Sequence, residues 1–258
     1  MRAVDISNVH AMLWLAVLFA ELVLFILLIV DREYRRLPAF VTFIALATTH
    51  DAILLLVAWY CERKAYFFTF WGLRSIELVV LFAVVAELYS KVFGSIDAMA
   101  AFPKALVRFG VAAGSTVCLG VALDLFTGEG AVLRPFLQLE RGITAAAFAL
   151  IGIIVLTAWF YGLPWFSRQI AISLGITFNF GLRAVLDQVS AFYPGPIYDL
   201  IQGLLFVTYL GAVGIWLIAF GRSTEPKCAL SQADMAGIDM TLRQLGRALK
   251  VVNRRVIG

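Results

Sequence analysis

Histidine and cysteine are too scarce here to build most cofactor sites. The chain has 258 residues, with two histidines and three cysteines among them. His10 falls at the edge of one apolar segment and His50 in the middle of the next. They share no depth at which a haem could be held from both faces, and no three-ligand zinc set can be assembled. The last apolar segment, Ile197–Phe220, contains no lysine, which excludes a retinal Schiff base there. Cys61, Cys118 and Cys228 do not make a disulfide framework and read as unpaired small residues. No G-x-S-x-G, Walker A or kinase signature occurs. Ser75, beside Arg74 and Glu77, matches no catalytic dyad. No catalytic residue, metal or cofactor is therefore expected.

Charge is scarce as well. Charged residues make up 15% of the chain and hydrophobic residues 62%, against about 45–50% apolar in a soluble domain. Mean hydropathy is +0.92. A net charge of +4 gives no reason to expect a nucleic-acid partner. The composition is that of an all-α polytopic membrane protein whose first partner is the bilayer. Its first apolar run, Ala11–Val30, is longer than the ~7–15 residues of a leader peptide and is expected to be a span.

A helix crossing the hydrocarbon core needs roughly 20 mostly apolar residues. Seven segments qualify, at about 11–30, 38–60, 66–90, 105–126, 142–161, 168–190 and 197–220. They predict a seven-helix transmembrane domain over 1–222, followed by a cytoplasmic tail over 223–258. Pro38, Pro103, Pro135, Pro164 and Pro194–Pro196 punctuate the connections. Fourteen basic residues fall in the tail and in one set of connections, and five fall in the other set with the N-terminus. That asymmetry predicts an inner-membrane protein with its N-terminus outside and its tail in the cytoplasm.

The charges that remain lie within spans, where each costs roughly 2.5 kcal/mol or more unless it faces a bundle interior or a watery cavity. Glu21 lies midway along the first span, His50 and Asp51 midway along the second, and Arg74 and Glu77 in the third. Asn179, Arg183 and Asp187 recur every four residues along the sixth, which makes one stripe. At ~1.5 Å per residue these groups share one slab in the middle and outer half of the membrane, so they are expected to converge. Four acids face two arginines. Two carboxyl groups without a permanent partner can protonate, share a proton, pair with His50 as imidazolium, or bind a cation. One reading is a salt-bridge network that only sets helix register. The other is a cavity, open to the outside, for a small-molecule or ion ligand or for protons. Glu87, near the inner end of the third span, reads as an interfacial, partly solvated carboxylate.

Small residues mark close helix contacts. Gly110 and Gly114 form a G-x-x-x-G, which suits packing within the bundle and also suits a homodimer seam. In the tail, Ser231–Asp234 has capping-box spacing. Met235, Ile238, Leu242, Leu245, Leu249 and Val252 then form an apolar side opposite Arg243, Arg247, Lys250 and Arg254. A basic amphipathic helix over about 231–255, lying on the inner leaflet, fits this pattern; so does a short dimer seam.

The runs MLWLAVLFAELVLFILLIVDREYRRLPAFVTFIALATTHDAILL and FFTFWGLRSIELVVLFAVVAELYSKVF carry a resemblance. A basic segment before Pro38 opens the second span, and Glu87-Leu88-Tyr89 closes the third. In these features the chain resembles a group of uncharacterised seven-transmembrane-helix membrane proteins abundant in acidobacteria. More faintly, it is similar to the seven-helix input regions of bacterial sensor kinases. The resemblance implies architecture first and sensing second. With no kinase signature of its own, a sensor of this kind is expected to signal through a cytoplasmic partner. A small transporter or proton/cation-coupled permease is the alternative.

Overall fold

The structure is a computed structural model that describes residues 8–93, 102–127, 133–160, 167–192 and 196–222. Among the described residues there are seven α-helices and no strand. They are α1 (Asn8–Val30), α2 (Pro38–Tyr60), α3 (Arg63–Phe93), α4 (Phe102–Thr127), α5 (Leu133–Phe160), α6 (Ser167–Phe192) and α7 (Pro196–Gly221), with a 3-10 turn at Glu33–Arg35 between α1 and α2. Each helix packs on the next in sequence, α1 closes back on α7, and α3 also touches α5. The tail helix expected over 231–255, with Arg243, Arg247, Lys250 and Arg254, lies outside the described residues.

Helix starts follow local chemistry. Pro38 stands at the first position of α2, where its missing N–H costs nothing. Neither Leu37 nor any other near neighbour caps the next amides. Glu87 of α3 does so instead, accepting the N–H of Ala39 at 3.2 Å and of Phe40 at 3.0 Å. A carboxylate at a helix N-terminus also complements the positive end of the helix dipole. Glu87, half-buried, is thus a cross-helix cap, a role that its position in the sequence did not suggest. α5 begins at Leu133, about two turns before the expected 142. Leu133–Arg141 is rich in helix formers, and Pro135 falls within the first turn, where proline is tolerated. A helix that begins in water need not begin apolar, so hydropathy alone misses such an extension.

Among the described residues, four helices are long and apolar enough to cross a membrane: Ala11–Val30, Pro38–Tyr60, Arg141–Phe160 and Gly203–Gly221. Large apolar side chains are exposed along them, including Phe19, Ile26, Leu56, Leu156 and Ile218. Apolar surface on this scale needs a covering, and these helices mark a membrane-embedded protein. α3, α4 and α6 are as long or longer but carry more polar residues.

The G-x-x-x-G faces inward. A Cβ on Gly110 would lie 2.6 Å from Phe82 Cβ, and one on Gly114 would lie 2.7 Å from the Ser75 carbonyl oxygen. Within this chain, the motif lets α4 lie against the backbone of α3. The buried core is densest toward the Val30, Pro38 and Gly221 ends, where Leu24, Leu28, Phe40, Ile44, Phe82, Trp216 and Phe220 are almost fully buried. Phe40 packs edge-on to Trp216 at 5.3 Å and stacks on Phe220 at 5.6 Å.

Candidate functional site: a charged cavity between five helices

The other half of the bundle holds a smaller packed cluster around Trp14, Leu54 and Leu55 and a cavity beside it. A partly open cavity of about 280 Å³ lies between α1, α2, α3, α6 and α7, close to the small end of the ~300–1,000 Å³ common for ligand sites. It reaches Tyr66, one turn from the start of α3, and on α2 it extends inward as far as Phe43.

Glu21, His50, Asp51, Arg74, Glu77, Asn179 and Arg183 all line this cavity. The backbone of α6 carries Asp187 one turn beyond Arg183, but the Asp187 side chain lies outside the described residues. Glu77 is the hub. Arg74, three residues back on the same face of α3, donates from Nη1 to Glu77 Oε2 at 2.9 Å, and His50 Nδ1 bonds to Glu77 Oε1. All three are buried. The proton of that second bond fits on Nδ1, which leaves His50 Nε2 as a buried atom with no partner among the described residues.

Glu21 is fully buried and accepts a hydrogen bond from the Tyr209 hydroxyl through Oε1. Among the described residues its Oε2 has no partner. Asp51 is half-buried, within electrostatic reach of Glu21 and Glu77. The Trp14 indole N–H approaches Asp51 without closing a hydrogen bond. Asn179 is buried, whereas Arg183 is half-buried and already engaged in an interaction of its own. Aromatic rings complete the wall: Phe70 lies 5.8 Å from the His50 ring and 6.5 Å from Tyr66, and Phe206 lies 6.5 Å from Trp14.

No protein-family model matches this chain, and neither does any curated protein or solved structure. What the cavity does must be argued from its own atoms. Among the described residues no group of His, Cys, Asp and Glu is set out to hold a metal ion. The arrangement can bind a small polar molecule, hold protons, or balance charge across the bundle.

Three contributors were not visible from charge placement. Tyr209 and Trp14 hide a polar atom inside an apolar-looking residue. A tyrosine midway along a strongly apolar segment, next to Thr208, is the one signal that could have pointed to the Glu21 partner. The third is a second buried ion pair at the Val30 and Pro38 end of the bundle, where Arg168 at the start of α6 donates to Glu33 of the 3-10 turn. Glu33 is 2% exposed and Arg168 8%. The Arg168 guanidinium also lies 5.5 Å over the Phe220 ring. Arg32, at φ 56°, takes the left-handed turn that precedes Glu33, at a cost of roughly 1–2 kcal/mol for a residue with a Cβ.

Proposed function

We propose that this chain is a receptor-like or sensory seven-helix module of the cell membrane, with its polar cavity facing outward. One observation carries the reading: the cavity lies mainly in the half of the bundle that holds Trp14 and Tyr66 and reaches inward on α2 no further than Phe43, while the opposite end is filled by Leu24, Leu28, Phe40, Trp216 and Phe220. A site closed on one side suits detection better than passage.

Seven spans are supported by the outer face of α6. Ile170, Leu174, Phe178, Leu182 and Val185 are exposed and recur three or four apart, while Gln169, Asn179 and other polar groups turn inward. Such a helix presents lipid-compatible surface while its average hydropathy is lowered by the side that faces the bundle. The basic asymmetry supports an outside N-terminus. A cytoplasmic partner supplies the output.

A small transporter or proton/cation-coupled permease is the second reading, favoured by the three carboxyl groups that share the cavity with two arginines. Accessibility separates the two. In a variant with Cys61, Cys118 and Cys228 replaced by serine, Ala47→Cys places one thiol on the cavity wall. A membrane-impermeant maleimide should reach it only from the side of the α1 N-terminus. Labelling from both sides defeats sensing in favour of transport, and labelling only from the tail side defeats the proposed orientation.

A further inference from the structure

We propose that the cavity binds a small organic monocation bearing N–H donors, an alkyl- or arylammonium. Asp51 and Glu21 take the ammonium, while Trp14, Tyr66, Phe70 and Phe206 enclose its apolar body. The inference rests on reading the cavity as a ligand site and adds the chemistry of its ligand.

Charge comes first. Glu21, Asp51 and Glu77 line the cavity against Arg74 and Arg183, and His50 needs no extra proton to bond Glu77 through Nδ1. With the three carboxyl groups ionised and His50 neutral, one negative charge is left over among the described side chains, and a monocation would close the balance. Position comes second. Glu77 is committed to Arg74 and His50, so the surplus resides at Glu21 and Asp51. Glu21 lines the cavity, and its buried Oε2 has no donor among the described residues. Leaving such an acceptor unmatched is costly, and an ammonium N–H would supply the bond. A quaternary ammonium has no N–H and would leave Oε2 unmatched. The walls come third. Aromatic faces attract cations electrostatically and also accept an apolar body, and the rings here pair along the cavity wall, Trp14 with Phe206 and Tyr66 with Phe70.

The test uses the full chain in lipid nanodiscs and three probes of similar size: phenethylamine, its N,N,N-trimethyl analogue and phenylacetate. Phenethylamine should raise the unfolding midpoint saturably at millimolar concentration, as a ligand of the folded state does. The trimethyl analogue should bind several-fold more weakly, and phenylacetate should not bind. Glu21→Gln and Asp51→Asn should each weaken phenethylamine by about tenfold or more, as expected for loss of a charge-assisted hydrogen bond. Cys118→Ser, on the exposed face of α4, should leave it unchanged. The inference is overturned if no amine stabilises the protein, if phenylacetate binds as well as phenethylamine, or if the trimethyl analogue matches it. It is also overturned if both carboxamide variants fold and bind phenethylamine normally. Should either variant fail to fold, the ranking of the three probes on the unaltered chain decides. Failure of the amines with Ala47→Cys still labelled from one side only would sink this inference and leave the sensory reading standing.

Discussion

This bundle holds two groups of buried charge, one midway along its helices and one at the Val30, Pro38 and Gly221 end, and their surroundings differ more than their chemistry does. Arg168 and Glu33 form a pair beside Phe220, which in turn stacks on Phe40 in the packed half. Arg74, Glu77 and His50 form a triad on the wall of a 280 Å³ cavity, with Glu21 and Asp51 across from it. A charge enclosed by apolar side chains has one way to be satisfied, which is its partner. A charge beside open volume can also use water or a ligand. The first arrangement ties the turn between α1 and α2 to the start of α6, and the second leaves chemistry available.

That contrast is broken most decisively at Arg168. Arg168→Ala strands Glu33, 2% exposed, without its cation. The expected loss is about 3–5 kcal/mol of stability, because an unpaired buried charge is not rescued by solvent. Replacing both partners at once, as Arg168→Met with Glu33→Leu, should recover most of it, since a matched apolar pair leaves nothing unsatisfied. Reversible unfolding in mixed micelles measures both. A neutral Arg168→Ala would mean that water reaches Glu33 and that the two groups are alike.

The five cavity-lining charges, with His50 and Asn179, were legible because a charged or strongly polar residue inside an apolar run has no ordinary explanation. Depth along each helix then brought them to one slab, where the structure has a cavity. Glu33 and Arg168 were illegible for the opposite reason. They stand in connecting segments, where a charge is expected to meet water, and only the turn at Arg32 and the packing of Phe220 bury them. The seven helices could be read from length and apolar content, but the early start of α5 at Leu133 could not, because those residues obey helix propensity and not hydropathy. The face used by Gly110 and Gly114 was ambiguous in one dimension, since a small-residue stripe fits a neighbour in the same chain or in another. Gly175 shows the same limit: a Cβ there would clash with the Trp216 indole nitrogen, and no spacing rule pairs those two positions.

The cavity charges should respond more gently than the enclosed pair. Arg74→Ala removes one of two partners from Glu77 and leaves His50 in place. The expected cost is about 1–3 kcal/mol, the range for removing a partner from a buried polar group. It should be smaller than the cost of Arg168→Ala in the same assay. Equal losses would mean that the cavity excludes water as thoroughly as the packed end.

Glu21→Gln should have the smallest effect on stability, and it sharpens the comparison most. The amide oxygen can still accept from the Tyr209 hydroxyl, so the one bond that Glu21 makes within the protein survives. The atom that changes is Oε2, which has no protein partner among the described residues. In its place the variant carries an amide nitrogen with two donors facing the cavity, and water or Asp51 can receive them. Removing a carboxylate also relieves its repulsion with Asp51 and Glu77, both within electrostatic reach. The lost charge-assisted bond and the relieved repulsion oppose one another, so the net change should stay within about 1 kcal/mol. A loss as large as that of Arg168→Ala would show that the Glu21 charge is essential to the resting bundle, and the cavity would then be a structural network like the pair of Arg168 and Glu33. A near-neutral stability change together with lost ammonium binding is the expected result. Only a residue whose partner comes from outside the chain gives that combination.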